Sequence, residues 1–124
     1  MVQRYALVVE DNREMQALLV DIIRLMGLDV KSVGRGDDAL VQMLREAPAL
    51  VLLDVDLPGM LSGLDVLLAI RNDETLTATK VILLTAQHVA ARTPEAEKAD
   101  LIMLKPVDAD QLILLAGRLL QSRV

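Results

Sequence analysis

An α/β domain built on a parallel sheet is the fold class this sequence predicts, and three observations predict it. Short runs of Val, Leu and Ile alternate with longer segments of helical period, five times along the chain, which is the pattern of strands joined by crossover helices. Several of the runs are almost continuously apolar, as strands covered on both faces are. The runs also end in acids, a hydroxyl or a lysine, at the carboxyl edge where open α/β sheets bind ligands.

Taken in order, the first strand is expected at Tyr5 to Val9 and the second at Leu28 to Val33. Between them Met15, Leu18, Leu19, Ile22 and Met26 recur at three- and four-residue steps, giving the apolar face of a helix. The third strand is expected at Leu50 to Leu53. A helix after it, less clearly marked, carries Leu64, Leu67, Leu68 and Ile70. The fourth strand is expected at Lys80 to Leu84 and the fifth at Leu101 to Leu104. The segment between them is the weakest helix, because Ala90-Ala91-Arg92-Thr93-Pro94 places a proline where a long helix needs an interior donor. A short helix starting at Pro94 with Thr93 as its cap fits better. In the last helix Asp108 stands as cap, Gln111 at the capping-box position, and Leu112, Leu115, Ala116 and Leu119 form the buried stripe.

Composition bounds the rest. At 124 residues and 53% hydrophobic, the chain can bury one continuous core, so residues 1–124 are expected to form a single domain. The absence of cysteine excludes disulfides and thiolate metal sites. The first residues, Met1-Val2-Gln3-Arg4-Tyr5, carry no signal-peptide core, and no apolar run approaches the roughly 18 residues of a membrane span. A cytoplasmic protein without membrane attachment is the expectation. A net charge of −5 argues against direct binding of nucleic acid, which needs clustered Lys and Arg.

The strand ends bring together Glu10 and Asp11, then Asp54 within Leu53-Asp54-Val55-Asp56, then Thr85, and finally Lys105 before Pro106. Carboxylates held together repel one another, and a hard divalent cation such as Mg²⁺, or Mn²⁺ in its place, relieves this through oxygen ligands. With a metal and Lys105 screening an incoming phosphoryl group, Asp54 can attack in line as a nucleophile.

This order of residues resembles the receiver domains of bacterial response regulators, the phosphoacceptors of two-component systems, over essentially the whole chain. The resemblance implies a flavodoxin-like, doubly wound sheet of five parallel strands in order 2-1-3-4-5 with helices on both faces. It implies Asp54 as phosphoacceptor. Metal ligands would be Asp11, Asp54 and the main-chain carbonyl of Asp56, with Glu10 acting through water. Thr85 would contact the bound phosphoryl group, and Lys105 would pair with one of its oxygens. The implied donor is a histidine kinase or a histidine phosphotransfer protein, and the implied reader an output domain or protein, with a phosphorylation-linked homodimer within the family's range.

This chain departs from the family in several places. Ile102 stands where a Tyr or Phe commonly reports phosphorylation, so coupling is expected through Thr85, the following loop and the shortened helix after it. Lys98-Ala99-Asp100 replaces the common Gly-Ala turn, the Thr85 to Lys105 spacing is slightly short, and the loop Pro58 to Gly63 is one residue longer than usual. Asp56 adds a carboxylate beside the metal site.

Plainer readings stand beside these. Glu10-Asp11 alone reads equally as a helix-capping pair, Thr85 as a cap, and Lys105-Pro106 as a strand-ending turn of either isomer. Gly34-Arg35-Gly36-Asp37-Asp38-Ala39 has the spacing of a dinucleotide fingerprint, but two aspartates would face the pyrophosphate. A tight strand-to-helix turn accounts for its glycines. His88 reads as a loop residue near the site, and the six methionines as core filler. Two rival functions remain: a haloacid-dehalogenase-like phosphohydrolase using Asp54 and Asp56, and a receiver-like binding module that signals without phosphorylation.

Overall fold

Five strands carry the architecture: β1 (Tyr5–Val9), β2 (Asp29–Val33), β3 (Leu50–Asp54), β4 (Lys80–Thr85) and β5 (Leu101–Leu104). They form one parallel sheet in order β2-β1-β3-β4-β5. The structure is a computed structural model that describes residues 4–87 and 92–121. Among the described residues three α-helices join successive strands, α1 (Arg13–Arg24), α2 (Gly36–Arg45) and α3 (Gly63–Arg71), and α4 (Ala109–Gln121) follows β5. None of the described helices is long and apolar enough to cross a membrane.

The two-residue period of the central strands divides the core into two layers. Leu7, Val9, Val51, Leu53, Val81 and Leu83 pack on one face against Ala39 and Met43 of α2 and Val66, Leu67 and Ile70 of α3. Ala6, Val8, Leu52, Ile82 and Leu84 pack on the other against Leu19, Ile22 and Ile23 of α1 and Leu112 and Ala116 of α4. Each buried Leu or Ile contributes about 1.5–3 kcal/mol relative to exposure, so the three inner strands anchor the sheet and hold its carboxyl edge rigid.

Several expectations are corrected. Only the inner strands are covered on both faces; β2 leaves Asp29, Lys31 and Ser32 exposed because it is an edge strand. Leu18 is exposed rather than part of the buried stripe of α1, and Ile23 takes its place. Glu10 and Asp11 do not cap α1: Asn12 does, its side chain accepting from the Met15 N–H at 2.9 Å. Met43 and Met103 are core residues, but Met60 projects into solvent from the loop after β3.

Between β4 and β5 the described residues hold no α-helix. Thr93 does accept, at its Oγ1, from the Ala96 N–H at 3.2 Å, but the chain beyond it forms a single 3-10 turn at Ala96–Lys98. The chain is pulled out of helical course by Arg71, whose Nε donates to Lys98 O (2.8 Å), Nη1 to Thr79 O (3.1 Å) and Nη2 to Asp100 Oδ2 (2.6 Å). Asp100 also accepts from the Val81 N–H at 2.7 Å. This clamp fixes the start of β5 beside β4 and stands where the family's Gly-Ala turn would be. In α4 the expected cap is present, Asp108 Oδ1 accepting from the Gln111 N–H at 2.9 Å.

Candidate metal centre

Parallel strands all end at one edge, so side chains just past β1, β3, β4 and β5 converge there without any element being bent toward them. Glu10 and Asp11 come after β1, Asp54 closes β3, Thr85 closes β4 and Lys105 comes after β5. Glu10 is 1% exposed, Asp54 3% and Thr85 0%, whereas Asp11 faces solvent. Two carboxylates are therefore held out of water, with a third at the mouth.

Carboxylate oxygens of Glu10, Asp11 and Asp54 lie within 4.8 Å of one another. Lys105 Nζ bridges the buried pair, 2.9 Å from Glu10 Oε1 and 3.3 Å from Asp54 Oδ2. The remaining Asp54 oxygen, Oδ1, accepts from the Asp56 N–H at 3.1 Å. Glu10 Oε2 is buried and has no hydrogen-bond partner. A single ammonium does not compensate three carboxylates, and a buried oxygen without a donor is unfavourable. The donor set is all oxygen, partly open to solvent through Asp11, and fits a hard divalent cation.

Electrostatics point the same way. Burial first, then the adjacent Asp54 carboxyl, push Glu10 up to about 7 against the pull of Lys105. Burial opposes the charge on Lys105, but Glu10 and Asp54 outweigh it and raise the lysine above its ordinary value. Glu10 thus holds a proton in the metal-free fold at pH values where it would be ionised in the unfolded chain. Its contribution to stability is full below the ordinary carboxylate range and is lost as pH rises through about 7. A cation held by this group would replace that proton, so the rise in Tm produced by MgCl₂ is expected to be larger at pH 8 than at pH 5.5, measured by thermal unfolding with and without metal. An equal rise at both values would remove Glu10 from the metal-binding set.

The structure places each of the other expected residues. Asp56 is exposed and stands outside the grouped acids Glu10, Asp11 and Asp54, while its main-chain N–H holds Asp54. Thr85 Oγ1 accepts from the Gln87 N–H at 3.1 Å and lies 3.2 Å from Gln87 O, a closed turn that ties the hydroxyl to the segment after β4. Lys105 N–H donates to Thr85 O at 2.9 Å, continuing the sheet into the site, and the Lys105-Pro106 bond is cis with Pro106 exposed. Ile102 is half-buried against the α2–α3 layer. His88 lies outside the described residues, as do residues 89–91 of the loop expected to relay the signal.

Several supports of the site are not among the residues expected from sequence. Gln16 Nε2 donates to both Glu10 O (2.9 Å) and Val33 O (3.2 Å), fixing the backbone of the acid pair. Ser62 and Asp65 form a reciprocal capping box at the start of α3. The Ser-x-x-Asp spacing is a signal for the latter; Gln16 leaves none, since its partners are main-chain atoms on two strands. The glycines of Gly34-Arg35-Gly36 are not there for a left-handed turn, which among the described residues only Gly27 and Gly59 adopt. A Cβ at Gly36 would stand 2.8 Å from Val66 Cγ2, so space is the reason for that glycine, whereas a Cβ at Gly34 would meet nothing nearer than 3.6 Å. A groove of about 330 Å³ opens beside Glu10 and Lys105, walled by Asn12, Glu14, Met15 and Leu18.

Comparison with known proteins adds three findings. Residues 6–116 match the family model described as the response regulator receiver domain. The regulatory protein LuxO of Vibrio cholerae is 34% identical over 106 residues, 84% of this chain but 23% of that protein. Two solved structures superpose closely. A signal receiver domain from Vibrio parahaemolyticus assigned to the Luxo repressor is 31% identical with a TM-score of 0.86, covering 97% of this chain and 92% of that one. Response regulator TrrA from Thermotoga maritima, in complex with Mg²⁺-BeF, is 29% identical with a TM-score of 0.85, covering 94% and 99%.

Proposed function

The chain belongs to the response regulator receiver domain family, and from that premise we propose that Asp54 is its phosphoacceptor, charged with the help of Mg²⁺. Membership makes it a signalling domain of the two-component phosphoacceptor kind. The observation that carries the residue assignment is the buried Glu10–Lys105–Asp54 group with its unpartnered Glu10 Oε2. The Mg²⁺ in the TrrA structure supports the choice of metal, with Mn²⁺ able to substitute. The chain spans about a quarter of the length of the LuxO protein it matches; that residues 1–124 make up one receiver domain is part of this proposal.

In the proposed reaction an Asp54 carboxylate oxygen attacks the phosphorus of a phosphohistidine on a histidine kinase or histidine phosphotransfer protein. The P–O bond forms as the P–N bond breaks, and the imidazole leaves with a proton from solvent. Bound metal supplies charge neutralisation to the phosphoryl oxygens. Glu10, Asp11, Asp54 and the Asp56 carbonyl would hold it. Asp56 N–H fixes the acceptor carboxylate, and Lys105, already between Glu10 and Asp54, moves to a phosphoryl oxygen. The groove beside Glu10 and Lys105 gives a partner side chain a way in.

The acyl phosphate adds nearly two negative charges. Thr85 would release its turn with Gln87 to donate to a phosphoryl oxygen, shifting the segment after it. An output domain or protein reads that shift, with a phosphorylation-linked homodimer as one form of output, in the cytoplasm where such kinases present their phosphohistidine. Ile102 keeps the aromatic readout out of this scheme. The exposed Asp56 carboxylate weighs against the phosphohydrolase alternative, whose general acid it would have to be.

The test is intact mass after incubation with a small acyl phosphate, with and without MgCl₂. A metal-dependent gain of one phosphoryl group is expected. No gain in a protein that binds Mg²⁺ would favour the phosphorylation-independent module, and phosphate release over many turnovers without an adduct would favour the phosphohydrolase.

A further inference from the structure

The segment Gly34-Arg35-Gly36, unused by the phosphoryl transfer, packs against both sides of the metal centre. A Cβ added at Gly34 would stand 3.6 Å from Asp11 Cα and 3.9 Å from Glu10 O, so this backbone rests directly on the acid pair. A Cβ at Gly36 would stand 3.0 Å from Leu61 Cβ and 3.2 Å from Leu61 O, in the loop after Asp54. Between them, Arg35 lies over Gly59 of the same loop. Gly59 has φ +88°, and a Cβ there would meet Arg35 Nη2 at 2.5 Å and Cζ at 3.0 Å. Asp37 orients the guanidinium, its Oδ1 accepting from Nε at 3.2 Å.

We propose that Arg35 is a positioning residue for the metal centre: its guanidinium, laid across Gly59, restrains the loop of residues 55–62 that carries Asp56. That loop supplies the Asp56 N–H that holds Asp54 Oδ1 and, with Asp54 as phosphoacceptor, the Asp56 carbonyl that would help to hold the metal. The inference rests on the proposed function for the carbonyl, but not for the loop restraint itself. Stability is not the role of this contact. The Arg35–Asp37 pair is half-exposed on both sides, and surface pairs of this kind contribute little to folding. Leu57 and Leu61 of this loop pack against the core, but Met60, next to Gly59, is 94% exposed, so between those two anchors the planar group laid on the glycine is the restraint in place.

The sign of one measurement separates positioning from plain charge. A guanidinium near a cation site repels the cation, so removing it should leave metal binding unchanged or tighter if charge alone matters. If Arg35 positions the loop, removing it weakens binding.

The experiment titrates MgCl₂ calorimetrically into metal-free parent, Arg35→Ala and Arg35→Lys, and tracks amide hydrogen exchange of residues 56–61 without metal. Arg35→Ala is expected to bind Mg²⁺ roughly tenfold more weakly, the low end for loss of a supporting residue at a metal site. Exchange at 56–61 should be faster, with Tm nearly unchanged. Arg35→Lys keeps the charge but neither the plane nor the Nε bond, and should restore little. Unchanged or tighter Mg²⁺ binding, full rescue by lysine, or unchanged exchange in the loop would each overturn the proposal. A parent that takes no phosphoryl group from acyl phosphate would overturn the phosphoacceptor reading of the site instead, and the metal-free exchange comparison would still decide whether Arg35 restrains the loop.

Discussion

Asp54→Asn is expected to abolish the metal-dependent gain of a phosphoryl group, leaving the intact mass at that of the untreated chain. The amide keeps the shape of the carboxyl, and its oxygen can still accept from the Asp56 N–H that now lies 3.1 Å from Asp54 Oδ1, so the fold and the loop after β3 should persist. The negative charge that the proposed attack by Asp54 requires disappears. The neighbours supply two further readouts. Lys105 loses one of its two carboxylates, and Glu10 loses the second-largest influence that raises it, so Glu10 should titrate below about 7 while burial keeps it above its ordinary value. Mg²⁺ affinity should fall by roughly tenfold or more, as one of three clustered acids is gone. Calorimetry and carboxyl-carbon NMR check these points. Phosphorylation at the parent's level in Asp54→Asn would move the acceptor to another acid.

Much of this site is legible in the sequence because of how parallel sheets work. Once the apolar runs are recognised as parallel strands, the residues after each run land on one edge, so Glu10, Asp11, Asp54, Thr85 and Lys105 can be grouped without knowing any distance. The inner strands are legible for the same reason, since their apolar runs leave no polar face. β2 is the exception: the polar residues of Asp29–Val33 carry the signature of an edge, not of a strand covered on both faces. Asn12 is an available cap signal overshadowed by the acids before it. Other features depend on contacts between residues far apart in sequence. Arg71 reaches Lys98 O and Asp100 across three elements, and nothing in either local pattern announces the pairing. The helix expected at Pro94 gives way because the competing interaction is that clamp. The family resemblance implies an acid acting through water at Glu10, whereas its near-complete burial with one unpartnered oxygen follows from tertiary packing and has no local signal.

The same logic makes one glycine indispensable. Gly63→Ala should destabilise the protein by about 3 kcal/mol, the upper range for forcing a methyl into a filled site. A Cβ at this position would fall 2.0 Å from Asp54 O and 2.7 Å from Val55 Cα. Both are backbone atoms, which cannot rotate away as a side chain would. Gly63 N–H also donates to Val55 O at 2.8 Å, so the start of α3 is pinned against the end of β3. Relief of the clash requires either the helix or the strand end carrying Asp54 to shift, and the site should lose Mg²⁺ affinity together with stability. For a domain of this size Tm should drop by roughly 10 °C. Gly117→Ala is the matched control. That glycine sits inside α4 with nothing within 4 Å of an added Cβ, and alanine there should stabilise by about 0.5–1 kcal/mol, since glycine is the poorer helix former. One substitution at two glycines is thus expected to move Tm in opposite directions, and only the first to disturb metal binding. A neutral Gly63→Ala would mean that β3 and α3 are not in contact at the acceptor end, and the placement of Asp54 relative to Glu10 and Lys105 would fail with it.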